Sequence, residues 1–170
     1  MEPTRKIEKV GLRNLHMEDY DQLAKSFKRI YADSDVFWTR AQIKKLITIF
    51  PEGQVVIIVD DKIVGCALSI IVNYDMVKGD HTYAQVTGNE TFNTHNPHGN
   101  ILYGIEVFIH PDYRGLRLAR RMYEYRKELC EKLNLKAIMF GGRIPNYHKY
   151  ADQMRPKEYI EKVRNREIYD

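Results

Sequence analysis

The sequence predicts an α/β (α+β) domain in which helices flank a mixed central sheet, and three observations carry that expectation. Apolar residues alternate or run together at strand length around 5–13, 54–59, 62–72, 103–109 and 135–140. Other stretches repeat their apolar residues every three or four positions, as one buried helix face does. No internal repeat, low-complexity tract or linker interrupts the chain, so residues 1–170 read as a single domain.

In order, RKIEKVGLR (5–13) alternates weakly and makes a first strand. From His16 to Ala32, Leu23, Phe27 and Ile30 share one side of a helix, which Ser34-Asp35 breaks. Thr39-Arg40-Ala41-Gln42 has the spacing of a capping box, and Ile43, Leu46, Ile47 and Phe50 supply the next helix's buried face up to Pro51-Glu52-Gly53. QVVIIV (54–59) is a buried strand, Asp60-Asp61-Lys62 a hairpin turn, and Lys62 to Val72 the returning strand. Asn73 to Asn100 is polar and rich in Gly, Asn and Thr; a connection of that length in a compact domain is expected to be functional, or mobile until something binds.

Ile105, Val107 and Ile109 then alternate at strand period, and Pro111-Asp112 ends the strand. Leu118, Met122, Tyr125, Leu129 and Leu133 mark one face of a helix. Leu135 to Phe140 is a further strand, expected to run parallel to its predecessor. Gly141 to Pro145 is read as a loop, Asn146 to Met154 as a short helix, and Pro156 to Arg164 as another with proline at its start.

Composition bounds the function. An apolar fraction of 44% and a charged fraction of 29% suit a soluble globular chain. No apolar run is long enough to span a bilayer, and the N-terminus lacks the apolar core of a signal peptide. Two cysteines without metal spacing do not make a disulfide framework, so the expected setting is the reducing cytoplasm. The net charge of +4 fits an anionic ligand but is too weak to argue for nucleic acid. Arg117, Arg120, Arg121 and Arg126 interleave with Glu124, Glu128 and Glu131, which reads as a solvated, ion-paired helix face. His95 and His98 have no third partner at ligand spacing, so no metal site is expected.

Between the strand ending at Ile109 and the helix from Leu118 lies a turn holding Arg114, Gly115, Leu116 and Arg117. Free amides at a helix N-terminus, flanked by arginines, suit an anion such as pyrophosphate.

At these residues, Pro111 through Ala119, the sequence resembles the GNAT superfamily of acyl-CoA N-acyltransferases. That family's signature is Arg or Gln, two residues, Gly, one residue, then Gly or Ala, after a strand. Arg114, Gly115, Leu118 and Ala119 fit its commonly seen form, while Arg117 stands where the family normally has its central glycine. The order of elements over 5–154 is also GNAT-like. GGRIPNYHKYADQM followed by PKEYIEKV is similar to the N-terminal acetyltransferase-like domain that some bacterial proteins carry ahead of a carbon–nitrogen hydrolase domain. A GNAT domain usually closes with a final β-hairpin, for which no segment is visible; the chain is expected to be a shortened domain or one whose edge something else completes.

The resemblance implies acetyl-CoA or another acyl-CoA as cofactor, with its pyrophosphate on the amides of Gly115, Leu116, Arg117, Leu118 and Ala119 beside Arg114. It places the pantetheine arm along Val107, Phe108 and Ile109, with Asn146 also on the cofactor. Glu106 is the implied general base, with a strand carboxylate paired on the opposite face as the plainer reading. Tyr150 is the implied general acid, Tyr147 its near rival, and packing with a satisfied hydroxyl the plainer role for either. His81, Tyr83 and the loop holding His95 and His98 are candidates for the acceptor pocket. The function so implied is N-acetyl transfer to an amine on a small molecule or protein. Its rival is a non-catalytic acyl-CoA-binding domain fused to, or associated with, a carbon–nitrogen hydrolase. A homodimer is among the expected assemblies.

Overall fold

The fold was described from a computed structural model, which covers residues 9–31, 37–142 and 144–170. The beginning of the first expected strand (5–8) and the Ser34-Asp35 break lie outside the described residues. The chain divides into two compact units, one up to Phe140 and one from Gly141 to Asp170.

The first unit is a five-stranded sheet in the order β1-β2-β3-β4-β5: β1 (Val10–Asn14), β2 (Val55–Val59), β3 (Lys62–Val72), β4 (Ile101–Ile109) and β5 (Ala137–Phe140). The first three pairings are antiparallel, and β4 with β5 is parallel, as expected of a mixed sheet. Helices α1 (Tyr20–Ile30) and α2 (Arg40–Ile49) bury Leu23, Phe27, Ile43 and Leu46 against one sheet face, with Cys66, Leu68, Ile70, Tyr103, Ile105 and Phe108. Helix α5 (Leu118–Lys132) covers the other, packing Leu118 and Met122 on Ile57, Val59, Val64 and Ala67, and Leu129 on Leu102 and Ile71. Thr39 caps α2, its hydroxyl accepting from the Gln42 amide at 3.2 Å while the Gln42 side chain returns to the Thr39 N–H at 2.8 Å.

The polar stretch 73–100 is folded, with α3 (Tyr74–Val77) and α4 (Tyr83–Thr87) inside it. Its polarity conceals three anchors, Val77, Val86 and Phe92, each at most 1% exposed. Alternation cannot reveal so few apolar residues spread over so long a segment. Backbone bonds from Asn96 to Ile71 and from Asn100 to Val72 stitch its return to β3. His95 serves here as an acceptor: Nδ1 takes the Ile71 N–H at 3.0 Å, and the ring stacks on Phe50.

Strand β4 carries a bulge. Leu68 pairs with Glu106 but Ser69 with Gly104, so Ile105 is extra. The pleat is thereby reset. Before the bulge Leu102 points to α5 and Tyr103 to α1 and α2; beyond it Val107 and Ile109 face α5 while Phe108 faces α1 and α2. Glu106, opposite Leu68, joins the α1/α2 face alongside Ile105.

In the second unit, the stretch 146–154 holds a single 3-10 turn (Tyr147–Lys149) in place of the expected short helix, because its carbonyls bond three residues on: Asn146 to Lys149 and Tyr147 to Tyr150. Helix α6 (Pro156–Arg164) starts on proline, as its sequence predicts. No strand follows Phe140 among the described residues.

Burial holds the His95 imidazole below its ordinary pKa of 6.5. Since the folded value is the lower one, the unfolded chain takes up the proton first, and stability is lost as pH falls below about 6.5. Urea unfolding at about pH 7.5 and about pH 5.5 should show a smaller pH difference in His95→Phe than in the wild type. That variant should also lose about 1–3 kcal/mol at the higher pH, from leaving the Ile71 amide unpaired.

Candidate acyl-CoA site

Three features of the first unit converge on the C-terminal half of β4. The first is a strand edge. Ile101 to Gly104 pair with Ala137 to Phe140, and there β5 ends, so Glu106 to Ile109 have β3 on one side and, among the described residues, no strand on the other. Buried or half-buried backbone without a ladder partner must be satisfied by something else. Val107, Phe108 and Ile109 all lie on this stretch.

The second feature is the turn that follows. Pro111–Tyr113 forms a 3-10 turn pinned by the buried His110, whose N–H bonds the Val64 carbonyl and whose Nδ1 accepts from the Asp112 amide at 3.2 Å. Gly115 and Arg117 then both take left-handed backbone, φ 85° and φ 57°. These two left-handed residues, one on either side of Leu116, turn the chain into α5, whose first internal bond runs from the Arg121 N–H to the Arg117 carbonyl. The amides of Leu118, Ala119 and Arg120 thus have no intrahelical acceptor, and the side chain of the N-cap residue Arg117 does not cap them. Arg114, Gly115, Leu116, Arg117 and Ala119 are exposed, while the buried Leu118 anchors the turn. Beside the turn, a groove of about 510 Å³ is lined by Lys25, Arg29, Lys62, His110 and Tyr113, and Arg29 pairs with Asp112 at 3.6 Å.

The left-handed backbone shows why a glycine would suit position 117. Glycine occupies such a position without strain; a side chain costs on the order of 1–2 kcal/mol. Arg117 adopts the shape the turn requires and carries that cost.

The third feature lies on the α1/α2 face. Tyr83, from α4, donates its hydroxyl to the Ile105 carbonyl at 3.2 Å, at the bulge itself. Burial, with the charge of Glu106 next, pushes the Tyr83 phenol far above its ordinary value. His81 bonds the Gly79 carbonyl through Nδ1 at 3.0 Å, which makes that nitrogen the N–H, and its Nε2 accepts from the Tyr103 hydroxyl at 2.9 Å. Trp38 lies against Tyr83 with ring centroids 6.3 Å apart. His81, Tyr83, Tyr103 and Glu106 therefore share one face of β4. Tyr103 was not singled out by the sequence, where it reads as an ordinary strand residue. His95 is committed to the Ile71 amide and is no part of this group.

The remaining candidates belong to the second unit. Tyr147 gives its hydroxyl to the Met154 carbonyl at 2.8 Å, whereas no hydrogen bond engages the Tyr150 hydroxyl among the described residues. Both rings pack on the buried Tyr159, which bonds Asp170; the Asn146 amide donates to the same carboxylate at 2.8 Å.

Arg126 is a correction to the sequence reading. It does not belong to a solvated basic face; it is 2% exposed, with Nη2 donating to the Leu68 carbonyl at 3.0 Å and the Glu106 carbonyl at 3.3 Å. Its position, four residues after Met122 and three before Leu129, puts it in the buried stripe, while Tyr125 is half-buried and Leu133 is 37% exposed. Arg120 does pair with Glu124 on the outer face, at 3.0 Å.

Comparisons with known proteins agree with this geometry. The acetyltransferase (GNAT) family model matches residues 11–151. Probable hydrolase YhcX of Bacillus subtilis (strain 168) is 40% identical over 167 residues, 98% of this chain and 32% of that protein, so the chain spans about a third of that relative's length. Uncharacterized N-acetyltransferase YkwB of the same strain is 32% identical over 162 residues, 94% of this chain and 72% of that one. Among solved structures, the loading GNATL domain of CurA from Lyngbya majuscula superposes with a TM-score of 0.72 at 21% identity, over 87% of this chain and 71% of the other. The GphF GNAT-like decarboxylase in complex with isobutyryl-CoA gives 0.65 at 17% identity, over 89% and 75%. At those identities the structural likeness concerns the fold.

Replacing Arg117 by glycine should relieve the left-handed strain but free the unfolded chain, for a net change within about 1 kcal/mol. Arg117→Ile should destabilise by about 1–2 kcal/mol, since a branched side chain fits that backbone worst. Urea denaturation of the two variants checks the pair.

Proposed function

This chain belongs to the acetyltransferase (GNAT) family, and we propose that it is an N-acetyltransferase carrying an acetyl group from acetyl-CoA directly to an amine. The observation that supports this reading is the end of the β4–β5 pairing at Gly104, with the rest of β4 leading into an exposed turn at a helix N-terminus. An acyl-CoA has a matching pair of parts: amides that can pair with a strand edge, and a pyrophosphate suited to a helix N-terminus. The isobutyryl-CoA bound by the GphF enzyme supports the same class of ligand.

In this proposal the amides of Gly115 through Ala119 hold the pyrophosphate beside Arg114, and the backbone of Val107 to Ile109 aligns the pantetheine arm. Asn146 contributes a further polar contact. When bound, the cofactor supplies the activated acyl carbon. Glu106, on the face lined by Tyr83, Tyr103 and His81, takes the proton that the amine loses as its nitrogen bonds that carbon. Tyr150 supplies a proton to the departing sulfur. His81, Tyr83 and Trp38 frame the acceptor, a small molecule or a protein amine. All 170 residues act as one domain in the cytoplasm, as a monomer or homodimer, with neither nucleic acid nor membrane as partner.

A second reading has its own support. YhcX carries the name of a hydrolase, and this chain corresponds to 32% of its length. The domain would then bind acyl-CoA without turnover, as a regulator or scaffold of a carbon–nitrogen hydrolase to which it is fused or bound.

Calorimetric titration should give an acetyl-CoA Kd between about 1 μM and about 1 mM, followed by thiol release in the presence of a suitable amine. Glu106→Gln should lower kcat by about a hundredfold or more at saturating amine, with the affinity for acetyl-CoA kept. An unchanged rate removes Glu106 as the base; binding without turnover across a panel of amines favours the second reading.

A further inference from the structure

Among the described residues, the buried side-chain atoms that lack a hydrogen-bond partner are Ser69 Oγ and the Nε and Nη1 of Arg126. They come together at one place. Ser69 is the register partner of Gly104, and because Leu68 and Ile70 face α1 and α2, the Ser69 side chain faces α5. Arg126 reaches the same spot from α5: a Cβ added to Gly104 would lie 3.0 Å from Nη1 and 3.3 Å from the Cβ of Phe140. Gly104 and Phe140 are the last pair between β4 and β5. The free Nη1 therefore stands where the two strands part.

This head group cannot swing to water. Its Nη2 is held by the carbonyls of Leu68 and Glu106, and the residue is 2% exposed. A guanidinium buried without an acidic partner, with two of three nitrogens idle, costs several kcal/mol, and burial pulls its pKa down. The partner such N–H groups call for is an acceptor oxygen, and they stand beside the point where β4 and β5 part. The head group also restricts what that oxygen is. Both two-pronged edges of a guanidinium run through Nη2, which is already engaged, so a carboxylate cannot be gripped at two points. Single N–H bonds remain, and these suit one carbonyl oxygen.

We infer that Arg126 is a catalytic residue: its Nη1, with Ser69 on the same face, donates to the carbonyl oxygen of the acyl group and holds the negative charge that develops there. This rests on the acyl-transfer reading. As the amine nitrogen bonds the acyl carbon, the carbonyl π pair moves onto the oxygen at Nη1. Its return breaks the carbon–sulfur bond; Glu106 keeps the proton lost by the amine, and the departing sulfur takes the proton supplied by Tyr150. Donors fixed in a dry site lower the cost of that charge without having to reorganise. The depth is suitable, since Arg126 lies eight residues into α5 from Leu118, about 12 Å along the axis, within the reach of an extended pantetheine arm.

The test compares three CoA analogues that cannot transfer an acyl group. One is the ketone in which methylene replaces the thioester sulfur, the second is S-ethyl-CoA, which has no carbonyl, and the third is S-carboxymethyl-CoA. By calorimetry the wild type should bind the ketone about tenfold or more tightly than S-ethyl-CoA, as expected of a hydrogen bond from a charged donor. Arg126→Met should abolish the preference while its affinity for S-ethyl-CoA stays within about twofold, and Ser69→Ala should reduce it. The wild-type ratio and Ser69→Ala stand even if Arg126→Met does not fold. Equal binding of ketone and S-ethyl-CoA overturns the inference and leaves the atoms to a buried water. Tightest binding of S-carboxymethyl-CoA overturns it in favour of a carboxylated acyl chain. If none of the three binds, the acyl-CoA reading fails and this inference falls with it.

Discussion

Backbone amides and carbonyls inside a sheet must find partners, and the middle of this molecule is arranged around the place where one strand outruns its neighbour. β4 is nine residues long and β5 is four, so the longer strand outruns its neighbour at Gly104. Elsewhere the chain closes such accounts with side chains. The buried Gln54 supplies the Ser69 N–H with an acceptor and the Ser69 carbonyl with a donor, where β2 no longer reaches. Tyr83 donates to the carbonyl of the bulged Ile105. Arg126 does the same for Leu68 and Glu106. Side chains thus complete the hydrogen bonding of β3 and of the bulge where neighbouring strands fall short.

The bulge and the buried arginine depend on each other. One extra residue turns Glu106 toward the α1/α2 face, away from α5, and leaves its carbonyl within reach of Arg126. Gly104 permits this, because a side chain there would press on the guanidinium. The two sheet faces thus have separate duties: side chains that could handle an acceptor lie under α1, α2 and α4, and the buried cation lies under α5.

Much of the fold was legible in the sequence, because its signals are local and strong. Strand alternation, the Thr39 capping box and the turn from Pro111 to Arg117 each depend on residues close in the chain. What remained hidden depends on residues far apart. The two helices in 73–100 rest on a few anchors that dock on distant strands, and the 3-10 turn at 147–149 replaces a helix of similar composition. Arg126 was misread because arginine is nearly always solvated, so its place in the stripe of Met122 and Leu129 looked like noise in the pattern. The bulge is invisible in principle: one residue shifts the facing of all that follow, and nothing in Ile105-Glu106 itself announces it.

The segment 73–100 has a further consequence. Topologically it is the connection of an antiparallel pair, since β3 and β4 are neighbours that it merely joins. Closing such a connection becomes only slowly more expensive with length, about 0.6 kcal/mol for each doubling. The part of the molecule that supplies Tyr83 and His81 can thus be lengthened, shortened or exchanged while the β4–α5 turn is left alone. Descendants of one ancestral domain can rewrite this hairpin loop and inherit the β4–α5 turn intact.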